Sequence, residues 1–130
     1  MKFLIIIFIT LTTIILFYRC DDTITGSDID NRIIPDSNVS YSKDLAPVFE
    51  IKCVSCHGPT KTDGGVDLST WSGVRNPTIL IPYNSDVSLL VWTVEGKSGY
   101  QMPPLGKSFP FNNNQVKGLK TWIDEGAENN

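Results

Sequence analysis

IKCVSCHGPT, residues 51–60, holds two of the three cysteines and the only histidine of a 130-residue chain. Cys53, Cys56 and His57 form a C-x-x-C-H run. Residues three apart lie on the same side of a helical turn, so both sulfurs can reach one flat ligand. The histidine that follows then sets a ring nitrogen against the centre of that ligand. Two thioethers to vinyl groups and one imidazole to iron fit this spacing, which reads as a c-type haem attachment site. The motif therefore predicts one covalently bound haem c on Cys53 and Cys56, with His57 as an axial ligand of its iron.

Other uses of the same residues are weighed against this. A structural zinc site needs four ligands, usually in two separated pairs, and the chain has neither a second cysteine pair nor a second histidine. A thioredoxin-like C-x-x-C needs a βαβ setting that the pattern lacks. A plain Cys53–Cys56 disulfide stays open as the bland alternative for an exported protein. For the second axial position no further histidine exists, and beyond Met1 the chain has one methionine, Met102, in the loop GYQMPPLG. A thioether suits haem iron, and a His/Met pair gives the potential of an electron carrier. Core filling is the usual fate of a lone methionine. Its place in a loop, directly before Pro103 and Pro104, favours ligation.

Outward from the motif, Ser40 to His57 reads as a helix capped by Ser40 or Ser42, with Asp44 in its first turn and Pro47 near its start. Gly58-Pro59 ends it. Residues 59–82 read as loop with one helical turn near Ser69 to Gly73. A second helix is expected from Asp86 to Glu95, stopped by Gly96. The last is expected from Asn114 to Glu125, with Val116, Leu119, Trp122 and Ile123 on one face and Gly126 as its stop. No stretch alternates as a strand does. The expected fold is all-α, three to four helices with long loops, over residues 40–128.

The remainder divides in two. Residues 1–19 put Lys2 before an apolar run, Phe3 to Tyr18, which reads as an export signal or membrane anchor. A stable span wants about 20 apolar residues, so the run is short for one. Residues 20–39 are acidic and poor in apolar residues, and read as a flexible linker. Cys20 directly follows the apolar run, where a lipoprotein is cleaved and acylated, although Phe17, Tyr18 and Arg19 are bulkier than the usual preceding residues. Lipid attachment at Cys20 is favoured over an uncleaved anchor, and either one tethers the domain to a membrane on the outer side. From residue 40 onward nine acids face eight bases, without the clustered positive face that nucleic acid requires.

These pieces resemble the planctomycete-type cytochrome c domain, a relative of the small class I cytochromes c. The resemblance rests on APVFEIKCVSCHG, GGVDLST, SLLVWTVEG, MPPLGK and the closing Q-x-x-x-L-x-x-WIDEGA, in that order. It implies covalent haem at Cys53 and Cys56, axial ligation by His57 and Met102, and first and last helices crossing near the haem at Phe49 and Trp122. It also implies haem attachment outside the cytoplasm.

The function expected is electron transfer by a membrane-tethered, single-haem cytochrome rather than catalysis, with redox proteins as partners. Lys97 and Lys107 flank the Met102 loop and could steer an acidic partner. The alternative is a haem domain that binds or senses a small ligand, in which Met102 is displaced. Trp71, Tyr83, Trp92 and Tyr100 are candidate donors to haem carboxylates, with core or rim packing as their default use.

Overall fold

The computed structural model describes residues 24–130. The apolar run of residues 1–19 and Cys20 lie outside the described residues, so the anchor and the lipid attachment are not placed. Among the described residues no helix is long and apolar enough to cross a membrane.

The first correction concerns residues 24–39, expected as part of a flexible linker. They carry a helix, α1 (Gly26–Asn31). Thr25 and Asp28 form a capping box: the Asp28 amide donates to the Thr25 hydroxyl, and the Thr25 amide donates to the Asp28 carboxylate at 2.9 Å. The Thr25 hydroxyl, donating to the Asp28 carboxylate at 2.6 Å, and then the Thr25 amide hold the Asp28 carboxyl below its ordinary range. Ile29, Ile34 and Val39 are buried in the same core as the rest of the domain. From Arg32 onward the chain runs as a strap along the last helix, α5 (Asn113–Asp124). The Ile34 amide donates to Asn114 Oδ1 at 2.8 Å, and Asn114 Nδ2 donates back to the Ile34 carbonyl at 3.0 Å. The amides of Asn38 and Val39 both donate to the Glu125 carboxylate. The globular part thus begins well before residue 40.

Ser40 caps the next element as expected, its hydroxyl accepting from the Lys43 amide. A π-helical turn, Tyr41–Leu45, leads into α2 (Ala46–Lys52), with Pro47 in its first turn. The helix ends five residues before His57 rather than at it. The amides of Cys53 and Val54 both donate to the Phe49 carbonyl, at 2.8 and 3.1 Å. Sharing one acceptor breaks the regular ladder, and the chain leaves the helix in a turn.

A second correction follows from what comes next. His57–Gly58 (β1) pairs antiparallel with Lys61–Thr62 (β2), so the fold is helix-rich with a small two-stranded sheet, not strictly all-α. Pro59 and Thr60 make the connection. Two-residue strands show no alternation, which hid them in the sequence.

The Gly64-Gly65 pair sits in a short 3-10 turn with both residues at positive φ, 67° and 74°. Then come α3 (Trp71–Val74), capped by Thr70, and a 3-10 turn, Ser85–Val87, before α4 (Leu89–Val94). The single helix expected from Asp86 to Glu95 is split at Ser88, which is extended and fully buried. Its hydroxyl accepts from the Ile81 amide and donates to the Asn84 carbonyl, both at 2.9 Å, which ties the break to the loop before it. α5 starts one residue before the expected position, with Asn112 and Gln115 as its capping box.

Five α-helices of the described chain therefore surround one core. Tyr41 is its junction, with ring centroids 6.4 Å from Phe49 and 5.5 Å from Trp122. The expected crossing of Phe49 with Trp122 is thus relayed through Tyr41, and α5 packs on the π-helical turn that precedes α2. Burial of each large side chain here contributes about 1.5–3 kcal/mol.

Candidate haem-binding site

Cys53 is the C-terminal cap of α2, and the amides of Cys56 and His57 donate to its carbonyl at 3.0 and 2.8 Å. The motif is therefore a single non-repeating turn at the end of a helix. The Cys56 carbonyl accepts from the Asp63 amide at 3.0 Å, and the His57 carbonyl from the Leu68 amide at 2.7 Å. The GGVDL stretch thus serves as a brace across the motif. Gly58 closes the turn tightly, since a Cβ there would lie 2.5 Å from the Val54 carbonyl oxygen.

The two thiols are free and differ in setting. Burial pushes the Cys53 thiol up to about 12, against the opposing pull of the nearby Lys52 charge. Cys56 is half-buried, with the Lys61 ammonium 3.7 Å from its sulfur and Asp63 paired to that ammonium at 3.0 Å. No disulfide joins the pair. Among the described residues no group of three or more His, Cys, Asp or Glu is placed to hold a metal ion.

His57 supplies the test of fit. Its Nδ1 is buried and has no hydrogen-bond partner. Such a nitrogen costs free energy unless something outside the chain satisfies or orders the ring. A histidine with an unspent nitrogen, between two free thiols and a braced turn, has the donor set a covalent haem requires. These residues fit the group.

Met102 is half-buried on a separate loop between α4 and α5. Its amide donates to the Thr93 carbonyl of α4 at 2.9 Å. At the far end of the loop, the carbonyls of Phe109 and Pro110 accept from the Lys52 ammonium at 3.2 and 3.0 Å. The residue before Cys53 thus holds the exit of the loop that carries Met102. Tyr100, Leu105 and Phe109 on this loop are largely exposed, an apolar set with no cover of its own. The turn brings Cys53, Cys56 and His57 together, while Met102 lies on the separate loop fastened to Thr93.

Of the four candidate donors to haem carboxylates, two are already committed. Trp71 Nε1 donates to the Ala127 carbonyl at 2.9 Å and Trp92 Nε1 to the Asp86 carbonyl at 2.7 Å. Tyr83 lies against Gly126, and Tyr100 stays exposed. A donor the sequence reading passed over is Arg75, whose Nε is buried and unpartnered while its guanidinium stacks 5.5 Å from the Trp71 ring. Nothing local in the sequence marks the partners of Lys52. Lys97, considered for docking, pairs with Glu95 at 2.7 Å. A broad groove of about 780 Å³ between the end of α4 and α5, lined by Val94, Gln101, Phe111 and Val116 among others, contains none of Cys53, Cys56, His57 or Met102.

Residues 53–106 match the model of a family described as Planctomycete cytochrome C, a stretch that runs from the first motif cysteine through MPPLG. Cytochromes c are generally electron carriers with covalently bound haem. No curated protein and no solved structure gave a match.

Proposed function

We propose that this chain, whose residues 53–106 form a planctomycete-type cytochrome c domain, is a membrane-tethered electron carrier with one haem and His57/Met102 axial ligation. The observation that carries the reading is the buried, unpartnered Nδ1 of His57 in the same turn as two free thiols. The haem, when bound, supplies the one-electron chemistry. Cys53 and Cys56 hold it by thioethers, and His57 gives one nitrogen to the iron. Met102, on the loop between α4 and α5, would be the soft ligand to the iron. Tyr100, Leu105 and Phe109 are the apolar side chains available to keep water from that side. Cytochrome c domains are typically exported, which agrees with the signal-like residues 1–19 and with lipid attachment at Cys20.

The test is spectroscopy of the exported protein. One haem by mass and a c-type pyridine haemochrome are expected. Met102→Ala should abolish the sulfur-to-iron charge-transfer band, and an unchanged spectrum would sink the axial assignment. Fast, complete binding of carbon monoxide to the reduced parent protein would favour the ligand-sensing alternative instead.

A further inference from the structure

We propose that Lys52 is a positioning residue that keeps the Met102 loop closed by tying its exit to the N-terminal segment through Asp30. The inference rests on the reading of Met102 as an axial ligand.

The Lys52 side chain is 2% exposed. A buried ammonium is tolerated only when its donors are used, and Lys52 uses all three. One goes to Asp30 Oδ1 at 2.6 Å, the others to the carbonyls of Phe109 and Pro110 at 3.2 and 3.0 Å. Asp30 is itself fixed. Gln115 Nε2 reaches its carboxylate at 3.3 Å, and Asn112 Nδ2 donates to its carbonyl at 3.1 Å. Gln115 also donates to the Ile29 carbonyl at 3.1 Å. One polar network therefore joins α1, α2, the cap of α5 and the end of the Met102 loop.

Apart from buried Pro103 and Phe111, the loop has few contacts to hold it. Its entry is fastened by the Met102 amide on Thr93, and the Lys107 amide bonds only within the loop, to Pro104. Phe109 and Pro110 have exposed side chains, and Phe111 beyond them is buried with its ring 6.3 Å from that of Phe49, so the Lys52 ammonium holds the backbone of this end where the loop meets the core. Removing it loosens the segment between Met102 and Phe111 and raises the fraction of molecules in which the methionine is withdrawn. The position of Lys52 immediately before Cys53 makes the same side chain sense both halves of the site. Asp30 brings the N-terminal segment into that control, although it lies 72 residues from Met102 in sequence.

The experiment uses the haem-loaded full chain and imidazole as a probe that competes for the sixth position. Lys52→Met should bind imidazole about tenfold more tightly than the parent, because a larger fraction of molecules has the loop open. The sulfur-to-iron band should weaken and trypsin should cut faster after Lys107, with haem content unchanged. Asp30→Asn should move the same readouts less and in the same direction, and it decides the matter alone if Lys52→Met does not fold. Ser85→Ala, which loses a bond to Asp124 away from this network, should lower stability and leave imidazole affinity unchanged. Imidazole affinity of Lys52→Met, or failing that of Asp30→Asn, within twofold of the parent overturns the proposal. A parent protein without the band overturns the Met102 assignment and this inference together, so the parent spectrum separates the two failures.

Discussion

Tyr41 shows how one side chain can carry a pH dependence. Its ring lies between Phe49 and Trp122, and burial pushes its phenol up to about 12 from an ordinary 10.0. Above pH 10 the unfolded chain releases this proton while the folded chain keeps it. Stability from this group is therefore fully present below pH 10 and is lost as pH rises toward 12. Tyr41→Phe keeps the ring, costs about 1 kcal/mol or less at neutral pH, and should show a smaller alkaline loss. Urea unfolding of both proteins from neutral to alkaline pH checks it; equal losses would mean the phenol is not the titrating group. At this same scale the site was legible where chemistry is local. Cys53, Cys56 and His57 announce themselves by spacing. The partners of Lys52 and the stacking of Arg75 on Trp71 are contacts of the folded chain. Only the latter, four residues apart, left a sequence trace, and nothing distinguished it from chance.

Among the elements, the strap and α5 depend on a missing side chain. Gly118 sits in mid-helix, where alanine is ordinarily better by about 0.5–1 kcal/mol. Here a Cβ would run into Cγ2 of Ile34. Gly118→Ala should therefore destabilise, by about 1–3 kcal/mol, reversing the sign that helix propensity gives. Paired with Ile34→Ala the two effects should be strongly non-additive, since the second change makes room for the first. Urea midpoints of the two single variants and the double measure this, and a more stable Gly118→Ala would show that the strap does not lie on α5. α5 itself was readable because its cap, apolar face and glycine stop all lie within its own residues. α1 was not. Its acids looked like a solvated run, and the groove that receives Ile34 is built more than eighty residues away. The helix expected through His57 failed for another reason: periodicity cannot show where one carbonyl takes two donors.

For the whole molecule, the strap makes residues 24–39 part of the folding unit, outside the 53–106 stretch by which the family is matched. Placed behind the same export signal, a chain beginning at Ile24 should fold and load haem as the full chain does. One beginning at Ser40 loses Ile29, Ile34 and Val39, each a buried side chain worth about 1.5–3 kcal/mol. That total rivals the 5–15 kcal/mol of a typical domain, so it should yield little folded, haem-loaded protein; comparable yields from both would refute a structural role for the strap. The strap also sets the length of a leash. Twenty free residues after a lipid on Cys20 would let the domain roam about 70 Å from the bilayer. With the chain committed to the fold from Ile24, four steps remain, a reach of about 14 Å. On the proposed attachment, the domain would graze the lipid headgroups and diffuse in two dimensions. It would then exchange electrons with partners in or on the same membrane, and not with those across a wide aqueous gap.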